Sequence, residues 1–274
     1  MTEKIGSTLP KYESPPLIEV VCGVIFKSID GLLAPHLGQL WDLFKPDYAR
    51  CREVPRLDPE IEGFGTTREV KVQITPIPPL PRIWFVTAGD DRIVQIQRDR
   101  LHHNWKKGKP EDKYPHYKRI SEMFQEALRK FKTFLADQQL GGIEPLQFEM
   151  TYVNQIPKGD GWGHISEIGK LFPDIAWRKR EQRFLKEPED FSWQTAFKLP
   201  DKAGRLRAAV SHVLRQEDNR PVFQLDLTAR GIGTDKSALG MLSWFDVAHS
   251  WIVRAFEDLT DETIQNEVWK KIKS

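Results

Sequence analysis

Between Leu17 and Phe26 the chain reads LIEVVCGVIF, a β-rich run bounded by Pro15 and Pro16 before it and Gly31 after it, and this predicts the first strand. The period then changes. In PHLGQLWDLFKP, Leu37, Leu40, Trp41 and Phe44 recur at helical spacing, with Pro35 suited to a first turn and Pro46 to a stop. Residues 47–68, rich in Pro, Gly and charge, read as a loop. Alternation returns in REVKVQITPI, where Val70, Val72 and Ile74 share a face, and in RIWFVTA and RIVQIQRD, which flank Gly89 and Asp90 as a hairpin. From Tyr117 to Gln139, Ile120, Phe124, Ala127, Leu128, Phe131, Phe134 and Leu135 form one helical stripe, ended by Gly141 and Gly142.

The second half runs through the same order: PLQFEMTYVNQI, HISEIGKLFP, FSWQTAFKL, RLRAAVSHVLRQ and PVFQLDLTARG, then a long helix from Ser237 to Leu259. Pro16-Leu17 precedes Pro145-Leu146 by the same separation that sets VQIQ (94–97) before FQLD (223–226), so the two strings read as counterparts in an internal duplication. The expectation is an α+β protein of two similar β-α-β-β-β-α halves, 17–142 and 143–274, forming one compact unit behind a polar arm, 1–16. Its sheets are mostly antiparallel with helices packed on one face, and the element order resembles helix-grip and TATA-binding-like saddle folds. A last short helix is expected in LTDETIQNEVWKK, with Thr260 as its N-cap and Ile264, Val268 and Trp269 packing it back.

Strand parity separates two faces. Val94 and Ile96 oppose Gln95, Gln97 and Asp99; Phe223, Leu225 and Leu227 oppose Gln224, Asp226, Thr228 and Arg230. Lys71, Gln73 and Thr75 oppose Val70, Val72 and Ile74, and Arg207 and Ser211 oppose Leu206, Ala208 and Val210. The helices would cover the apolar side and leave a broad polar surface. Amides and carboxylates fixed on a rigid sheet can read the donors and acceptors of a partner.

Composition narrows the classes. With 39% hydrophobic residues over 274 positions the chain can bury a real core, and nine Trp with fifteen Phe suit a thick one. Lys and Arg number 41 against 39 Asp and Glu, a net charge of +2, which removes the bulk electrostatic case for a dedicated nucleic-acid binder. Two cysteines, Cys22 and Cys51, make no disulfide framework or metal spacing, and no run approaches a membrane span, so a reducing cytoplasm is the expected setting, without a membrane partner.

Candidate chemistry centres on IVQIQRDRLHHNWKKG (93–108), read as a strand that leads into a loop. His102 or His103 with Lys106 could in principle move a proton and stabilise a phosphorane, the sequence's weak basis for a metal-independent nuclease or nucleotide-processing enzyme. Adjacent histidines point apart and no paired ligand set occurs, so neither a metal nor a cofactor is expected. Gly231 and Gly233 lack a nucleotide-loop spacing, and His212 and His249 read as structural. The ligand-binding set is Gln95, Gln97, Asp99, Arg100, Asn104 and Trp105 with Tyr152, Asn154, Gln224 and Asp226; Tyr152, Asn154 and Gln155 would meet Asn104 and Trp105 if the halves face each other.

PPLIEVVCGVIF, PRIWFV, IVQIQRDRLHHNW, YPHY, FEMTYVNQI and AFEDLTDETIQNEVW together resemble a bacterial family of similar length, sporadically distributed among species and of uncharacterised function. Gln95, Gln97, Asp99, Arg100, Asn104 and Trp105 fit its middle motif, QxQRDRxxxNW, and residues 151–154 its TYVN motif. The resemblance implies carriage on mobile or defence-linked loci and no particular reaction. The expected role is a non-catalytic binding protein that takes a protein or polar ligand on its sheet face. Nucleic acid stays open as a partner and a homodimer as an assembly; a nuclease and a scaffold subunit are the rivals.

Overall fold

The computed structural model describes residues 8–58, 60–62, 80–109, 111–177, 182, 184–185 and 187–272. The strand expected in REVKVQITPI, with its Val70, Val72 and Ile74 face, lies outside the described residues. Eleven strands are described: β1 (Lys11–Tyr12), β2 (Leu17–Phe26), β3 (Arg50–Val54), β4 (Arg82–Val86), β5 (Arg92–Gln97), β6 (Arg100–Lys106), β7 (Pro145–Pro157), β8 (Ser192–Lys198), β9 (Arg205–Leu214), β10 (Pro221–Gly231) and β11 (Lys271–Ile272). Nine form one antiparallel sheet in the order β3-β4-β5-β6-β2-β7-β10-β9-β8, and β1 pairs with β11 apart from it.

The helices are α1 (Ala34–Phe44), α2 (His116–Asp137), α3 (Ala238–Leu259) and α4 (Glu262–Glu267). The whole Ile120-to-Leu135 stripe of α2 is buried, as its spacing requires. Phe44 of α1 stacks on Phe85 of β4, and Phe124 of α2 meets Phe245 of α3 edge-on at 5.1 Å. Phe148 of β7 touches Trp244 and Phe245, so the helices close over one face of the sheet. The fold is therefore α+β with helices on one side of an antiparallel sheet.

The halves 17–142 and 143–274 share this one sheet, meeting where β2 pairs with β7 at its centre. Each half's last strand, β6 or β10, flanks that half's first strand. This corrects the pairing of VQIQ with FQLD. FQLD lies in β10 beside β7, whereas VQIQ lies in β5, one strand removed from β2; the strand that holds the matching place is β6.

Three further expectations change. The stretch read as a loop contains β3 at the sheet edge, and HISEIGKLFP forms a 3-10 turn, Ile165–Lys170. The last helix is capped by Asp261, whose carboxylate accepts from the amides of Thr263 and Ile264, while Thr260 donates its hydroxyl back to Phe256. Trp269 and Ile264 do pack that helix onto the body, both buried.

Candidate functional site

LHHNWK is a strand and not a loop. β5 turns into β6 through Arg98 and Asp99, with Gln97 and Arg100 as the closing pair. The Asp99 carboxylate accepts from Gln97 Nε2 at 3.0 Å and Arg100 Nε at 3.1 Å, so side chains rather than a glycine hold the corner. Alternation then sends Leu101, His103 and Trp105 toward the helices and Arg100, His102 and Asn104 to the opposite face.

The two histidines are thus on opposite sides of the sheet and cannot act on one substrate atom. Both are buried, and burial pushes His102 down to about 4 and His103 to about 3, so both imidazoles are neutral at pH 7. His103 sits in register with Val94 and Cys22, and neither of its nitrogens has a hydrogen-bond partner among the described residues. Lys106 shares the face of His102 but lies four residues along β6, about 13 Å away. The imidazole–ammonium pair does not assemble.

Trp105, Tyr152 and Asn154 also belong to the helix-covered side. Trp105 meets the edge of Tyr114, whose hydroxyl lies 2.8 Å from that of Tyr152; Tyr152 in turn lies 2.9 Å from His249 Nδ1. Asn154 donates to the carbonyl of Leu225. These residues do not converge with Asn104, because the sheet itself stands between them. They build the core.

The remaining candidates do share the helix-free face. Arg82 Nη1 and Trp84 Nε1 both donate to Gln95 Oε1, at 2.8 and 3.0 Å; Gln95 Nε2 donates to Asn104 Oδ1 at 2.6 Å, and Asn104 Nδ2 donates to Glu19. Every amide atom in the relay has a fixed role. On the other side of the centre Gln155 donates to Gln224 at 3.1 Å, and Gln224 donates to the Asp226 carboxylate. Glu19 and Asp226 are register partners of the same residue, Val153, one from each side. Burial pushes both carboxyls upward; for Glu19 the Asn104 bond and the Lys106 charge oppose this and the Asp226 charge adds to it, while for Asp226 the Gln224 bond opposes. Neither carboxylate has an ion-pair partner among the described residues.

One register row crosses all nine strands on this face, from Arg52 and Trp84 through Gln95, His102, Gly23, Glu149 and Arg230 to Arg205 and Lys198. At Gly23 the absent side chain makes room for the His102 ring. His102 Nε2 is buried there without a hydrogen-bond partner among the described residues. Glu149 pairs with Arg230.

Sequence reasoning missed what lies across the next row. Gln97, Arg100, Ile25 and Gln147 are successive partners on β5, β6, β2 and β7. Gln97 donates to the Leu57 carbonyl and accepts from the Leu57 amide, both at 3.0 Å. Gln147 does the same for the chain further on, donating to the Glu60 carbonyl at 2.9 Å and accepting from the Glu62 amide at 2.7 Å. The Glu60 carboxylate reaches Arg230, and that of Glu62 reaches Arg205 and Arg207. The segment after β3 therefore straps one end of the polar face. Gln97, expected on an open surface, lies beneath the strap at 4% exposed, and Gln95, Arg100 and Asn104, expected there too, are likewise 5% exposed or less. Glu19, Thr151, Gln155, Gln224, Asp226 and Thr228 stay partly open beside the strap.

Two depressions, lined in part by Trp193 and Leu225 or by Lys132 and Met241, have room for no more than about one water. Among the described residues no group of three or more His, Cys, Asp or Glu is placed to hold a metal ion, and no helix is long and apolar enough to cross a membrane. Neither a protein-family model nor a curated protein matches this chain.

Proposed function

We propose that the protein is a non-catalytic binding protein that takes a polar or macromolecular partner on the helix-free face of its sheet. The observation that carries the reading is the pair Glu19 and Asp226 flanking Val153. Two partly buried carboxylates, each restrained by an amide and neither neutralised by an ion pair among the described residues, are a standing cost to folding. Groups kept at such a cost mark binding sites more often than random surface. The relays through Gln95–Asn104 and Gln155–Gln224 set their geometry in advance, which reduces the ordering cost of association.

The nuclease alternative loses its support, because His102 and His103 face apart and Lys106 lies far from His102. The bacterial family resemblance, with its link to mobile or defence loci, agrees with a binding role and names no ligand. The test is affinity capture from the native host with the wild type and with Glu19→Gln/Asp226→Asn, followed by identification of captured protein, nucleic acid and metabolites. A partner held by the wild type and lost by the folded variant supports the reading, and one held equally by both overturns it.

A further inference from the structure

The strap is fastened by groups that would grip any acidic peptide laid across the same row. Its backbone is held by two glutamine side chains, Gln97 and Gln147, each presenting one donor and one acceptor to the chain. That is how a side-chain amide substitutes for a neighbouring strand, and it reads backbone without regard to side chain. The two docks stand three strand spacings apart, about 14 Å. The four residue steps from Leu57 to Ile61 reach about 13–14 Å when extended, so the docks suit an extended occupant. Charge supplies the selectivity: Arg230, Arg205 and Arg207 receive the carboxylates of Glu60 and Glu62. Burial would raise the Glu62 carboxyl, but hydrogen bonds from Arg207 and Arg205 outweigh it and hold it below the usual range.

Among the described residues of the strap apolar packing is slight, and its buried anchor is the Glu62 side chain, 5% exposed between Arg205 and Arg207. Leu57 and Ile61 are exposed rather than packed, at 37% and 50%, and the Glu60 side chain is half open to solvent. A segment with few buried apolar contacts opens at low cost compared with the sheet beneath it. We infer that the row from Gln97 to Gln147, with Arg230, Arg205 and Arg207, is a recognition groove for an extended acidic peptide of a partner protein, occupied in this structure by Leu57, Glu60 and Glu62 of the same chain as an internal stand-in. This deepens the binding reading above and rests on it. The partner's peptide would carry two acidic residues at the spacing of Glu60 and Glu62, and would take the groove by displacing the strap.

The test uses the full chain and a fluorescently labelled synthetic peptide, PRLDPEIE, the sequence of residues 55–62. The Glu60→Gln/Glu62→Gln variant, whose own strap has lost the two carboxylates that reach the arginines, is expected to bind the peptide about tenfold more tightly than the wild type, since an occupied groove weakens apparent affinity by the fraction that is open. Adding Arg205→Gln and Arg207→Gln abolishes that binding, and a peptide with Gln at both Glu positions binds neither protein. In the wild type, excess peptide raises hydrogen exchange at the amides of Leu57 and Glu62; this arm decides the matter should the strap variant fail to fold. Equal affinity of wild type and strap variant, equal binding of the Gln-substituted peptide, unchanged exchange in the wild type, or displacement of the strap by a single-stranded oligonucleotide and not by the peptide would each overturn the inference. Should the peptide fail while capture still depends on Glu19 and Asp226, the groove assignment falls and the binding reading stands; loss of both removes both.

Discussion

The imidazole of His102 lies so close over Gly23 that a β-carbon on residue 23 would fall 1.9 Å from its Cδ2. No other residue type fits β2 at this point without moving the ring that fills the centre of the polar row. Gly23→Ala is therefore expected to cost about 1–3 kcal/mol by overpacking. Because the clash is with one side chain, Gly23→Ala/His102→Ala should be less destabilised than the two single variants predict. Urea denaturation of the four proteins measures the coupling. Strict additivity would mean that the ring is not what excludes a side chain at residue 23.

Acid should weaken the fold through its histidines. Burial holds His102 at about 4 and His103 at about 3, and His249 at about 4, all below the ordinary value of 6.5. The unfolded chain then binds protons that the folded chain refuses. Stability is full above pH 6.5 and falls as the pH drops toward these folded values. Each group contributes a slope of up to about 1.4 kcal/mol per pH unit inside that window. His103→Leu should flatten the stability curve between about pH 4.5 and 6 by close to one such slope. An unchanged slope would show that His103 titrates normally in the fold. Glu19 and Asp226 act in the opposite sense, since their raised carboxyls take up protons in the folded state first.

Trp105 and Tyr152 are expected to govern stability and not binding. Tyr152→Phe removes a hydroxyl shared between Tyr114 and His249 and should cost about 1–3 kcal/mol, the price of leaving buried partners unsatisfied. Trp105→Ala should cost about 3–5 kcal/mol through the cavity it leaves. Chemical denaturation gives both numbers, while partner affinity of the surviving folded protein should match the wild type. A loss of affinity with unchanged stability would return these residues to the site.

Much of the fold was legible because period and burial agree. Leu17–Phe26, the α2 stripe and the alternation in β9 and β10 all carry their structure in their spacing. The failures have physical causes. β6 was hidden because His103 fills a core position that alternation reserves for an apolar residue, and because the corner at Arg98 and Asp99 keeps negative φ and needs no glycine. β3 was hidden by its charges, which an edge strand tolerates. The polar face was legible in Gln95, Gln97, Gln224 and Asp226, but its partial burial was not. Parity says which way Gln97 points; it says nothing of a segment forty residues earlier that lies down on it.

Neutralising the paired carboxylates should separate stability from function. Glu19→Gln keeps an acceptor for Asn104, and Asp226→Asn keeps one for Gln224, while each removes a charge that burial penalises. The double variant is expected to melt at or above the wild-type temperature at pH 7 by differential scanning calorimetry. A marked fall in Tm would mean that the charges are structural.

The central claim is that binding happens on the helix-free face. Its most direct measurement compares, by isothermal titration calorimetry with the captured partner, the wild type, Glu19→Gln/Asp226→Asn, and a control pair on the exposed side of α2, Glu126→Gln/Arg129→Gln. The account predicts at least a tenfold loss of affinity for the first variant, about 1.4 kcal/mol, and none for the second. Undiminished affinity in Glu19→Gln/Asp226→Asn, or loss confined to the α2 pair, would contradict it.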